Sequence, residues 1–104
     1  MMSKYGLYGK LKAQSGKGGE LAAILLEAAE LVRPAPGCHI YLIGKDAQDG
    51  DTVWVTEVWD SKQDHDDSLK ADAVRQLIAR AMPLLDGRPE GGTVLEVLGG
   101  VGLE

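Results

Sequence analysis

Apolar residues along this chain switch between a period of two and a period of about 3.6, and the order of those switches limits the folds open to it. Residues 4–13 put Tyr5, Leu7, Gly9 and Leu11 on one face of a strand, with Lys4, Lys10 and Lys12 on the other and Tyr8 among them. The interior glycines Gly6 and Gly9 weaken that strand and point to a close approach by something bulky. Residues 15–19, Ser-Gly-Lys-Gly-Gly, form a turn and lack the spacing of a phosphate loop. Residues 20–33 then take helical spacing, with Leu21, Ile24, Leu25, Ala28, Leu31 and Val32 in one stripe and Glu20, Glu27 and Glu30 opposite. Pro34-Ala35-Pro36-Gly37 ends the helix, because proline has no N–H for the ladder.

Residues 38–44 and 52–59 are strands with apolar residues on both faces, and the polar turn 45–51 joins them as a hairpin. Ser61 caps a helical segment that holds Asp64 in its first turn, where the helix dipole favours negative charge. Asp72 reads as a second cap, for a helix over 73–82 with Val74, Leu77, Ile78 and Ala81 inward. A loop rich in proline and glycine leads to a last strand at 93–98, and residues 98–104 form a glycine-rich tail, frayed or laid over a partner subunit.

The order is β-α-β-β-α-β with the second helical segment split in two. It predicts one α+β domain over residues 1–104, ferredoxin-like, with an antiparallel sheet and its helices on one face. Helices on one face leave the other sheet face of the two doubly apolar strands uncovered. A second copy of the chain is the simplest cover, which predicts a homodimer.

Charge and cysteine content exclude several functions. Eleven basic residues against 16 acidic ones give a net charge of −5, a poor match to nucleic acid, whose binding rests on neutralising phosphates. One cysteine, Cys38, makes neither an internal disulfide nor a cysteine-based zinc site. The apolar run 21–32 is broken by Glu27 and Glu30 and is shorter than the ~20 residues of a membrane span. With no apolar leader at Met1-Met2-Ser3-Lys4, a reduced cytoplasm is the expected location.

Few residues are placed for chemistry. Asp64, His65, Asp66 and Asp67 are neighbours that splay ~100° apart on a helix and read as a solvated surface, so no metal is expected. Cys38 and His39 point opposite ways on a strand, and no nucleophile elbow or dinucleotide fingerprint is present. His65 lies one turn before Leu69, the large apolar residue of its segment, which must point inward for that segment to pack. His65 therefore faces either a pocket, as a proton acceptor, or a hydrogen-bonded core. Glu57 and Trp59 share one strand face beside it. A carboxylate on an apolar face is costly unless paired or used, so the two are either a core pair that fixes the following helix or part of a site. Arg75 flanks the last helical stripe and serves either the surface or a pocket.

The run Glu57-Val58-Trp59-Asp60-Ser61, followed by Lys62-Gln63 and a short helix, resembles the central motif of the antibiotic biosynthesis monooxygenase family. The resemblance takes in the first strand, the long helix, Pro36-Gly37-Cys38 and Pro83-Leu84-Leu85. It implies a dimeric α+β barrel and oxidation of a small quinol or polycyclic phenol by molecular oxygen, with no metal, flavin or haem cofactor. It also implies that His65 deprotonates the substrate, Trp59 donates from its indole, Glu57 orients Trp59 or relays a proton, and Tyr8 and Tyr41 line the pocket; Arg75, from its place beside the last helical stripe, is a further candidate for substrate binding. A non-catalytic dimeric ligand-binding module on the same fold is the alternative. Three positions depart from the patterns of relatives: Ser68 stands where relatives carry a histidine, and Gly9 and Ile78 stand near where haem-degrading relatives carry asparagine and histidine, which disfavours haem degradation.

Overall fold

The computed structural model describes residues 3–89 and 91–103, so Met1, Met2, Glu90 and Glu104 lie outside the described residues. That places part of the leader reading and the end of the tail outside them. The elements run β1 (Lys4–Lys12), α1 (Gly18–Val32), β2 (Cys38–Lys45), β3 (Thr52–Trp59), α2 (Lys62–Ser68), α3 (Asp72–Ala81), a 3-10 turn (Met82–Leu84) and β4 (Thr93–Val97). The four strands form one antiparallel sheet in the order β2-β3-β1-β4. This is the α+β, ferredoxin-like arrangement expected from the alternation of periods.

Register assigns the faces. Tyr5, Leu7, Gly9 and Leu11 of β1 stand opposite Trp59, Glu57, Val55 and Val53 of β3, and Tyr41 and Ile43 of β2 continue that face. It packs against α1 and α3 through a core that includes Leu21, Ile24, Leu25, Ala28, Val53, Leu77 and Leu84. A second cluster of Val32, Trp59 and Val74 closes the other end of the same layer. Among the described residues no helix packs on the opposite face. There Tyr8 stacks on Trp54 at 5.2 Å between ring centres, and Leu42 is 62% exposed.

The start of α1 has a tertiary cap. Lys17 precedes the helix and makes no side-chain cap, and the Gly18 and Gly16 N–H groups instead donate to Asp51 Oδ1 and Oδ2 at 2.9 and 3.1 Å. A Cβ at Gly18 would lie 2.0 Å from the Gly50 carbonyl oxygen, so the close approach of the β2–β3 turn depends on glycine there. Residues 15–19 are thus a docking point as well as a turn.

Several side chains sit differently from the sequence reading. Leu31 and Ile78 fall at the margins of their stripes and are exposed, because Val32 of α1 and Val74, Leu77 and Ala81 of α3 already fill the contact. Leu69 is 42% exposed. It forms the C-cap of α2 in a right-handed helical conformation, and its N–H donates to the Asp66 carbonyl three residues back, so the last turn is tighter than an α-helical one and does not hold Leu69 on the face of His65. Asp72 is the first residue of α3, in the turn its charge favours, while Ala71 takes the cap position without a side-chain bond. His39 is the extra residue of a bulge: Cys38 pairs with Trp59 and Ile40 with Val58, and the imidazole meets Asp60 Oδ1 at 2.6 Å. Among the described residues no helix is long and apolar enough to cross a membrane.

Candidate active site

The site begins where β3 runs into α2. Strand alternation puts Glu57 and Trp59 on the helix-covered face, and Ser61 then starts α2 by accepting the Asp64 N–H at 3.1 Å. Trp59 is fully buried, and its indole N–H donates to Glu57 Oε1 at 3.0 Å. One turn into α2, the His65 side chain retains 13% exposure and brings Nε2 to 3.8 Å from that same Glu57 oxygen. The ring packs edge-on to Trp59 at 5.9 Å and lies 5.5 Å from the Tyr5 ring. Its other nitrogen, Nδ1, is 2.9 Å from Asp66 Oδ1.

Burial raises the Glu57 carboxyl above the ordinary carboxylate range, against the opposing effects of the Trp59 hydrogen bond and of His65. Burial also pushes the Tyr41 hydroxyl up, with Glu57 and Cys38 adding to it, so Tyr41 remains a hydrogen-bond donor at physiological pH.

Glu57 also borders a hollow between the sheet and α1. This cavity holds about 180 Å³ and is walled by Leu7, Leu11, Leu25, Tyr41, Val55 and Glu57, with Gly9, Lys10, Pro89, Gly91 and Gly92 around it. Glu57 is the one carboxyl among its described lining residues. Glycines let the loop before β4 close this side: a Cβ at Gly9 would lie 3.0 Å from Gly92 Cα, and one at Gly92 would lie 2.8 Å from Leu7 Cδ1. The close neighbour expected over Gly9 is therefore this loop.

The structure brings Glu57, Trp59 and His65 together at the end of β3, and of the other sequence candidates only Tyr41 joins Glu57 on the cavity wall. Trp59 and His65 stand behind Glu57, off that wall. Tyr8 lies on the opposite sheet face against Trp54, and Arg75 is exposed on α3. Sequence reasoning passed over Leu7, Leu25 and Val55, whose pattern signals core and nothing more, and Asp66, which looks like one of several surface acids. Among the described residues no three His, Cys, Asp or Glu side chains are grouped to hold a metal ion.

A family model described as antibiotic biosynthesis monooxygenase matches residues 5–80, which include β1 through most of α3 and every element of this site apart from the loop before β4. The chain belongs to the antibiotic biosynthesis monooxygenase family. A crystal structure from Chloroflexus aurantiacus, named for the same family, is 38% identical over 98% of this chain and 100% of its own, with a TM-score of 0.86. Structures from Caulobacter crescentus (22% identical, 94% of this chain and 92% of that one, TM-score 0.84) and Nitrosomonas europaea (12%, 94% and 93%, TM-score 0.87) share the fold. No curated protein matches the sequence. In this family member, the motif residues Glu57 and Trp59 form a hydrogen-bonded pair of which Glu57 lines the cavity, and Ser61 sets the helix that carries His65.

Proposed function

We propose that the protein is a monooxygenase that oxidises a small aromatic hydroquinone or phenol with molecular oxygen, and that Glu57 accepts the phenolic proton. One observation carries this reading: a buried carboxyl with heightened proton affinity stands on the wall of an otherwise largely apolar hollow. Family membership supports the general reaction class. An apolar void of about 150 Å³ accommodates a benzene ring, so about 180 Å³ suits a ring with its hydroxyl groups.

The chemistry follows from spin. Ground-state oxygen is a triplet and reacts slowly with closed-shell molecules, whereas a phenolate is electron-rich enough to transfer one electron to it. The radical pair combines at a ring carbon to give a peroxide, whose O–O bond breaks with loss of water. For a hydroquinone the balance is one hydroquinone plus one O2 giving one hydroxyquinone plus one water, so the substrate supplies all the electrons. In this scheme Glu57 takes the first proton, His65 stands next in line, Trp59 holds the Glu57 carboxyl in place, and Tyr41 donates toward the phenolate. A second copy of the chain covers the open sheet face, where Tyr8, Leu42 and Leu95 are exposed, and a reducing compartment suits the lone thiol of Cys38.

Oxygen uptake by the purified protein, measured over a panel of one- and two-ring hydroquinones, tests the reading. Turnover on at least one substrate is expected, with Glu57→Gln lowering kcat by about a hundredfold. Saturable quenching of tryptophan fluorescence with no uptake on any substrate would replace the enzyme by a binding module.

A further inference from the structure

In the balanced reaction above, the two hydroxyl hydrogens of the hydroquinone and the hydrogen of the ring carbon that gains oxygen end as the two hydrogens of water and the one of the new hydroxyl group. The departing peroxide oxygen needs a proton to leave as water. The proton removed at the start must therefore be held and returned, and Glu57 is one group. His65 is held between two carboxyls: Nδ1 lies 2.9 Å from Asp66 Oδ1, and Nε2 lies 3.8 Å from Glu57 Oε1. A carboxylate only accepts, so the Nδ1 contact requires that nitrogen to carry hydrogen, and in the neutral ring the unprotonated nitrogen is then Nε2, the one 3.8 Å from Glu57 Oε1. Asp66 is itself held. Its second oxygen accepts from Lys62 Nζ at 2.7 Å, and the lysine, with His65 adding, keeps the carboxyl below its ordinary range and so ionised.

We propose that Asp66 is a positioning residue that locks His65 in its Nδ1–H form, so that Nε2 receives the substrate-derived proton from Glu57 and stores it until the departing oxygen needs it. This rests on the reading of Glu57 as the proton acceptor. The stored state is an imidazolium with Glu57 from β3 on one side and Asp66 of α2 on the other. Tyr5 of β1 lies beside the ring, Lys62 lies behind Asp66, and Tyr41 and Cys38 of β2 face Glu57. The Nδ1–H form is the less favoured tautomer of free histidine, so its presence requires a specific acceptor, and Asp66 is in place to be that acceptor. At 40% side-chain exposure Asp66 can be replaced without opening the core.

The test is nitrogen-15 NMR of the His65 imidazole together with steady-state kinetics, on the wild type, Asp66→Asn and Asp67→Asn. Asp67 is a matched control: it carries the same charge one residue away and bonds to Gln63 and Lys70. The wild type and Asp67→Asn are expected to show a protonated Nδ1 and a bare Nε2 at high pH. In Asp66→Asn that pattern is lost, and kcat falls about tenfold to a hundredfold with KM changed less than about twofold. An Nε2–H spectrum in the wild type, an unchanged spectrum in Asp66→Asn, or an altered tautomer with unchanged kcat each overturns the proposal. If no substrate turns over in the wild type, the enzyme reading fails, and the imidazole spectrum still decides whether Asp66 sets the tautomer.

Discussion

At the scale of single residues, Glu57 links stability to function with opposite signs. Its carboxyl binds protons more tightly in the folded chain than in the unfolded one, so the folded state holds more protons through the range between the two values. Stability is therefore expected to fall as pH rises above the ordinary value of 4.5 toward the folded value, and then to level off. Glu57→Gln removes this loss while keeping an oxygen for the Trp59 indole. The variant should gain melting temperature relative to the wild type as pH is raised through that window, while losing turnover; a difference in melting temperature that does not change with pH would contradict the burial account. Trp59→Phe keeps most of the ring but deletes the donor at 3.0 Å. Since that hydrogen bond lowers the carboxyl's proton affinity, its removal should move the acid-limb rise of the pH–rate profile to higher pH and cost about 1–2 kcal/mol in a urea titration. Glu57 and Trp59 were legible in the sequence because a carboxylate on an apolar strand face needs a reason. Asp66 was not: its neighbours Asp64 and Asp67 are equally acidic, and only coordinates show which carboxylate meets the imidazole.

At the scale of elements, the decisive contacts are the caps that set where helices begin. Ser61 fixes the first turn of α2, a helix of seven residues with no buried side chain, and so fixes the height at which His65 meets Glu57. Ser61→Ala should cost about 1 kcal/mol and lower kcat more than it raises KM, read by chemical denaturation and initial rates. Asp51 does the same for α1 from a distance of 33 residues, by accepting the Gly18 N–H. Asp51→Ala should destabilise the fold by about 1 kcal/mol; Gly18→Ala should cost more, because its Cβ would collide with the Gly50 backbone. The helices and strands themselves could be read from periodicity, including the Ser61 cap. The Asp51 cap could not, since a turn acid and a glycine far apart in sequence carry no local signal of meeting. The expectation that Leu69 points inward failed for a different reason: it assumed α-helical spacing from His65, and the last turn of α2 closes on an i→i−3 hydrogen bond from Leu69 to Asp66 that leaves Leu69 exposed.

At the scale of the whole molecule, the order of periods was enough to give the α+β sheet with helices on one face, because few topologies bury four such strands and their helices with short connections. The cavity was not legible. It depends on how far α1 stands off the sheet at Leu25 and on the loop that Gly9 and Gly92 allow to approach, and both are consequences of packing. The open sheet face, with the Tyr8–Trp54 stack and Leu42, is where a second copy should bind. Light scattering should give about twice 11.1 kDa for the wild type, and Leu42→Lys should shift the mass toward 11.1 kDa; a monomeric wild type would remove the dimer. The chemistry in the cavity is tested most directly by turnover under oxygen-18 gas with mass spectrometry of the product. One labelled oxygen atom per product molecule, with labelled product forming about a hundredfold more slowly in Glu57→Gln, is the expected result; an unlabelled product, or labelled product formed by the variant at the wild-type rate, would contradict the account.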